Sequence, residues 1–284
     1  MENQGRHANF FENLNRMDFN TTINETVDEE IRRRQLKRQK RLEKKAKKIE
    51  SQHSRDRSRL ATISPLTDSQ QKVFDAFADG KHLFLHGYAG TGKTFVSLYL
   101  ALKNILDGGR EQSYEKIIVI RSVVPTRDVG YLPGSISEKI QAYEEPYEEI
   151  CNDLFGQYDR TTEGYRQLKD RGIVEFTTTS FLRGLTFANA VIIVDEVQNM
   201  SFSEMATIMT RLGENCRVIF CGDFRQSDLK NNTERRGLHH FINIVKNIDS
   251  IEHIEFTEND IVRSGICKQF IIQWEHYKSK HDIA

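Results

Sequence analysis

Five short runs of apolar residues, each bounded by polar or chain-breaking positions, set the pattern of this chain: His82-Leu83-Phe84-Leu85-His86, Ile117-Ile118-Val119-Ile120, Ile173-Val174-Glu175-Phe176, Val191-Ile192-Ile193-Val194 and Arg217-Val218-Ile219-Phe220-Cys221. Continuous apolar runs of this length are the signature of strands buried on both faces. Ile251–Phe256 reads as a sixth strand. Between the runs the apolar residues recur at helical spacing: Val73, Phe74 and Phe77 before the first strand, and Phe95, Leu98, Leu100, Leu102 and Ile105 after it, up to Gly108-Gly109. Ser135 with Glu138 makes a capping box for a helix running to about Leu154, and Ser201 with Glu204 makes another. Residues 156–171 are polar and predict an exposed connection, and helices are expected near Leu238–Asn247 and from Gly265 to about Tyr277. Strands alternating with helices predict a mostly parallel sheet covered on both faces, with no internal repeat.

The first quarter of the chain is different. Residues 1–25 are Asn-rich, with Phe10, Phe11 and Phe19 at no sustained period, and are expected to be disordered. From Thr26, Glu29 completes a possible capping box, and Ile31 to Glu50 is built of good helix formers. The apolar residues Ile31, Leu36, Leu42, Ala46 and Ile49 form no continuous stripe, so residues 26–62 predict an unpacked helical arm and linker, and the folded domain is assigned to 63–284. Net charge is zero, but it is unevenly spread: residues 31–60 hold 14 Lys/Arg against 3 Asp/Glu, and residues 1–30 hold 2 against 7. The basic arm reads equally as a solvated helix or as an electrostatic arm for RNA or DNA phosphates, without an aromatic residue for base stacking. Four cysteines show no C-x-x-C pair and no zinc spacing, and no apolar run is long enough for a membrane helix. A soluble cytoplasmic protein with reduced thiols is the expectation.

Candidate chemistry concentrates where strands end, the edge at which parallel sheets bind ligands. Gly87-Tyr88-Ala89-Gly90-Thr91-Gly92-Lys93-Thr94 fits G-x-x-x-x-G-K-[ST], between a strand and a helix, a loop whose backbone N–H groups cradle phosphates. Lys93 would reach the β- and γ-phosphates, and Thr94 and Asp195 would hold Mg²⁺. Asp195-Glu196 alone could cap a helix. With the loop upstream, Glu196 becomes the candidate base that activates water against a γ-phosphate. Gln226, after Gly222-Asp223, is either a solvent-facing turn residue or a sensor of the γ-phosphate. Gln70, near a helix start that Thr67 or Asp68 could cap, is a surface residue or a reader of the adenine edge.

Taken in order, Gln70, the phosphate loop, Arg121 with Pro125, Gly130-Tyr131-Leu132-Pro133-Gly134, Arg183-Gly184, Asp195-Glu196-Val197-Gln198-Asn199, Gly222-Asp223 with Gln226, and Asp260-Ile261-Val262-Arg263 resemble the PhoH family of P-loop ATPases, single-domain relatives of superfamily 1 helicases. The resemblance covers about residues 65–278. It implies a RecA-like fold, ATP and Mg²⁺ as cofactors, hydrolysis of ATP, and RNA or single-stranded nucleic acid as a partner, with Arg121, Arg127 and Arg183 as candidate contacts. The strand end reads R-S-V-V-P where many members have Arg-Pro directly, and no PIN-type nuclease domain fits residues 1–64. An ATP-dependent adaptor whose slow hydrolysis ignores nucleic acid is the alternative. Because superfamily 1 helicases close ATP between two RecA-like domains and only one is present, a ring or other head-to-tail homo-oligomer is expected, with Arg263 as a finger supplied in trans or else a surface residue.

Overall fold

The computed structural model of the chain describes residues 5–107, 114–122, 136–156, 163–182, 184, 186–224 and 232–281. Six strands, β1 (His82–Gly87), β2 (Lys116–Arg121), β3 (Val174–Thr178), β4 (Ala190–Asp195), β5 (Cys216–Gly222) and β6 (Ile251–Phe256), form one sheet in the order β3-β2-β4-β5-β1-β6. Every pairing is parallel, so all six strands end at the same edge. At β4 every residue is buried, as its unbroken apolar run requires. Each fully buried Val or Ile there contributes roughly 1.5–3 kcal/mol relative to exposure.

Helices α2 (Asp68–Ala78), α3 (Lys93–Asp107), α4 (Ile136–Phe155), α5 (Glu163–Asp170), α6 (Phe202–Met209), α7 (Asn232–Val245) and α8 (Gly265–His281) cover the sheet. One face packs Val73, Phe77, Leu98, Leu102, Tyr147 and Leu154 against β1, β2 and β4. The other packs Met205, Ile208, Leu238 and Phe241 around Phe84, Ile192 and Phe220. Thr67 caps α2 by accepting from the Gln70 N–H, and Ser201 and Glu204 form the reciprocal box at α6.

One sequence expectation changes. The stretch 156–171 is not simply an exposed connection, because α5 lies in it and buries Tyr165 and Leu168, an i,i+3 pair too short to stand out among polar neighbours. The chain from Gly5 to Arg59 is one helix, α1. No Gly or Pro interrupts residues 6–64, so nothing in the sequence stops the helix at Thr26 or Ser51. The chain divides into two compact units, Met1–Arg55 and Asp56–Ala284. In the first, Ile31, Leu36, Leu42 and Ile49 are exposed, as their irregular spacing implies. In the second, the buried carboxylate of Asp56 pairs with Arg171. Among the described residues no helix is long and apolar enough to cross a membrane.

Candidate functional site

At the common strand edge a cleft of about 770 Å³ opens over the phosphate loop. β1 delivers the loop, and three glycines adopt the left-handed backbone it needs, Gly87 at φ 123°, Gly90 at 72° and Gly92 at 82°. The Tyr88 N–H is committed to the Phe256 carbonyl of β6 (3.1 Å), so this end of the loop is fastened to the neighbouring strand. Lys93, the first residue of α3, is buried and turns back over the loop, its Nζ donating to the carbonyls of Tyr88 (2.7 Å) and Gly87 (3.0 Å) and to Thr91 Oγ1 (3.3 Å). Burial pulls its ammonium below the ordinary lysine value, opposed by Asp223, Asp195 and Glu196.

Opposite the loop, β4 ends in Asp195. Its Oδ1 accepts from Thr94 Oγ1 (2.9 Å), and its Oδ2 accepts from the Tyr147 hydroxyl of α4 (2.9 Å). A hydroxyl and a carboxylate are hard oxygen donors of the kind Mg²⁺ takes while keeping several waters, so Thr94 and Asp195 fit that ion. The pair is a sparse site, and among the described residues no group of three or more His, Cys, Asp or Glu is placed to hold a metal. Burial, with the Asp195 carboxylate alongside, pushes the phenol of Tyr147 well above its ordinary range.

Glu196 follows in left-handed backbone, φ 54° and ψ 44°, which an L side chain with a Cβ adopts at a cost of order 1–2 kcal/mol. Such strain at a strand end is kept where a side chain must be aimed. Burial first, then Asp195, holds the Glu196 carboxyl above the usual carboxylate range, while Arg121, a hydrogen bond from Gln198 and Lys93 pull it back. Arg121 lines the same cleft at the end of β2, its guanidinium over the Tyr143 ring at 5.5 Å.

Gln70 is buried, and its amide is engaged within the protein, Oε1 accepting from Leu66 N–H (2.8 Å) and Nε2 donating to the Thr91 carbonyl (3.0 Å). It braces the loop from within the wall of the cleft, and one amide N–H and one oxygen lone pair are left over for a ligand. Asp260, buried, accepts from Thr257 N–H (2.8 Å) and Ser69 Oγ (3.0 Å), which ties the end of β6 to the start of α2. From there the Val262 N–H reaches the Gly90 carbonyl at 3.1 Å. Arg263 consequently lies on the phosphate loop of its own chain, where a Cβ on Gly90 would stand 2.8 Å from its Cγ.

The structure thus brings together Gln70, Ala89, Gly90, Thr91, Gly92, Lys93, Thr94, Arg121, Asp195, Glu196 and Arg263, all lining one cleft. Gly87 and Tyr88 sit behind it as carbonyl partners of Lys93. Gln226, Arg127 and Arg183, and the Gly130–Gly134 run, lie outside the described residues. Tyr147 and Ser69 have no signal of their own in the sequence, since each acts through a partner that the fold alone brings near.

The family profile described as PhoH-like protein matches residues 62–275. The chain belongs to the PhoH family. This PhoH chain is 31% identical over 227 residues to the PhoH-like protein of Mycobacterium leprae, covering 80% of this chain and 62% of that relative. It is 31% identical over 217 residues to Protein PhoH of Escherichia coli, covering 76% of this chain and 59% of that relative. It therefore spans about three fifths of the length of these relatives. Solved structures similar to this PhoH chain include the large terminase of a thermophilic bacteriophage, at 15% identity and TM-score 0.43, covering 76% of this chain and 50% of that one. A Pif1 helicase matches at 20% identity and TM-score 0.33, covering 69% and 44%. With its parallel sheet and phosphate loop, this member of the PhoH family has the fold of the P-loop NTPases.

Proposed function

We propose that this chain hydrolyses ATP and couples hydrolysis to RNA or another single-stranded nucleic acid. The observation that carries the reading is Glu196, a carboxyl in strained left-handed backbone beside Asp195, within the cleft over the phosphate loop. A protein that only held a nucleotide would have no use for a second, partly desolvated carboxylate there. Mg²⁺, when bound by Thr94 and Asp195, would neutralise charge on the phosphate oxygens. Lys93 leaves its carbonyl partners to pair with the β- and γ-phosphates. Glu196, as the carboxylate, orients water and takes its proton. Arg121 and Arg263, both lining the cleft, are the cations available to the charge that develops on the transferring group.

The nucleic-acid part of the reading rests on the charge of residues 31–60 and on the family resemblance. Phosphate release should rise several-fold with single-stranded RNA or DNA, with the stimulation falling as salt rises. In a chain beginning at Asp56 the stimulation is expected to shrink if the arm supplies the phosphate contacts. Slow release that neither polymer changes, in either chain, would favour the ATP-dependent adaptor instead. Self-association belongs to the same reading as a ring or head-to-tail assembly, and sedimentation with and without ATP measures it.

The Tyr147 hydroxyl holds one oxygen of Asp195 and so fixes how the other oxygen faces Thr94. Partners that orient a metal-ligating carboxylate are typically worth about 10–100-fold in metal affinity or activity. Tyr147→Phe is therefore expected to raise the Mg²⁺ concentration for half-maximal phosphate release about tenfold, with little change in thermal midpoint. An unchanged Mg²⁺ titration would show that Asp195 is oriented without it.

A further inference from the structure

Exposed apolar side chains gather on α8. Val262 just before the helix and Ile266, Phe270, Trp274 and Tyr277 along it are between 40% and 79% exposed. With about 3.6 residues per turn, Ile266, Phe270, Trp274, Tyr277 and His281 fall within an arc of roughly 80°, a single stripe about 22 Å long. A stripe of this kind is ordinarily the face a helix buries, and here it is turned to solvent. From Phe270 onward it is aromatic, and its rings lie nearly parallel. The planes of Phe270 and Trp274 differ by 4° and those of Trp274 and Tyr277 by 13°, with centroids 6.4 and 6.2 Å apart, and His281 follows 4.2 Å from Tyr277. Rings held in one orientation offer their π faces as a series, the surface on which successive nucleobases stack.

The charge of the helix suits a polyanion. Along Gly265–His281, Lys268, Lys278 and Lys280 outnumber the one carboxylate, Glu275, which is paired with Lys278 at 2.7 Å. Lys278 and Lys280 flank the stripe on its two sides, the first with its ammonium 5.8 Å from the centre of the Trp274 ring, the second exposed. Nearby Glu258 faces His276 at 3.6 Å. Two such helices laid face to face would set lysines against lysines, whereas phosphates answer them. The start of α8 is fastened to the phosphate loop by the Val262 to Gly90 bond, and the Lys268 Nζ ties back to the Ile261 carbonyl at 3.1 Å.

We propose that the aromatic face of α8 is a stacking platform for a single-stranded nucleic acid, which it holds by the bases while the exposed Lys280 meets a phosphate. The inference rests on the nucleic-acid part of the proposed function and assigns it a surface. Residues 31–60 contain no Phe, Tyr or Trp, so the basic arm can bind phosphates but cannot stack bases.

Trp274 is the only tryptophan of the chain, so tryptophan emission reports on this face alone. Titrating the full chain with an unlabelled single-stranded RNA or DNA of about 12 nucleotides is expected to quench that emission, in Glu196→Gln as in the parent. By anisotropy of the same strand carrying a dye, Phe270→Ala, Trp274→Ala and Tyr277→Ala should each weaken binding about 5-fold or more. Basal phosphate release and the thermal midpoint should stay put, because these side chains are exposed. Stacking releases no counterions, so the slope of log affinity against log salt should be that of the parent in these variants and shallower in Lys280→Ala. An abasic strand, which keeps the phosphates and lacks the π faces, should bind the parent and Trp274→Ala alike. Binding without quenching, or binding that the three alanine variants leave unweakened, would overturn the platform. Trp274 emission that shifts to the blue as protein concentration rises without nucleic acid, together with faster sedimentation, would overturn it in favour of a second copy on this face. If neither strand bound, the platform would fall together with the nucleic-acid reading, while phosphate release abolished in Glu196→Gln would leave hydrolysis standing.

Discussion

Glu196→Gln should bind ATP as tightly as the unmodified chain and release phosphate at least about 100-fold more slowly, the usual contribution of a placed general base. The substitution keeps size and polarity but removes the proton acceptor. Lys93 keeps its bonds to the Gly87 and Tyr88 carbonyls and Thr94 its bond to Asp195, so the affinity for nucleotide has no reason to fall. Glutamine should also ease the fold slightly, since the carboxyl is held above its ordinary range by burial and by Asp195. The same shift gives the pH dependence its sign. Glu196 acts only when deprotonated, so turnover should fall as pH drops through a value above the ordinary glutamate range of about 4.3, and rise to a plateau above it. Unchanged phosphate release in the variant would reassign the base.

Gly87→Ala is expected to have the second large effect, this time on the fold. A Cβ at Gly87 would stand 2.0 Å from the Phe256 carbonyl oxygen and 2.8 Å from Phe256 C and N. These are backbone atoms of β6 in register with Gly87, so no side chain can swing away. The φ of 123° compounds the clash, because L residues avoid that region. Separation of β6 from β1, or a changed peptide at the loop, are the available reliefs, and either costs at least about 3 kcal/mol. For a domain of this size that lowers the thermal midpoint by roughly 6–12 °C, with ATP binding lost together with the loop geometry. Thermal denaturation of the variant, with and without nucleotide, measures both, and a midpoint within a degree or two of the parent would refute the packing argument.

How much of this was legible beforehand depends on whether a feature is local. The six strands announce themselves because a strand buried on both faces leaves an apolar run, and the capping box of Ser201 and Glu204 is written in adjacent residues. The glycine loop between strand and helix is equally local. What the sequence hides are side chains that find partners across the fold. Tyr147 meets Asp195 from 48 residues away, and nothing in the run Glu145-Pro146-Tyr147 marks it. Gln198 is visible in the D-E-V-Q-N string, but its tie to Asp223 needs β4 and β5 side by side. The place of Arg263 beside Gly90 of its own chain depends in the same way on the Val262 to Gly90 hydrogen bond, a contact across the fold. Helix α5 was passed over because eight residues with two buried apolar side chains leave little periodicity to read.

The strand order also has a consequence for biosynthesis. β1, which carries the phosphate loop, has β5 on one side and β6 on the other, both encoded late, and Gly87 meets Phe256 more than half the chain after itself. As the chain leaves the ribosome, Leu83, Phe84 and Leu85 must wait for both neighbours, and the Tyr88 N–H lacks its Phe256 partner until that residue has emerged. The nucleotide pocket is therefore among the last parts of the domain to take shape, and chains released before the end of β6 should retain α3 and the β2, β4 ladder while lacking any loop able to grip phosphate.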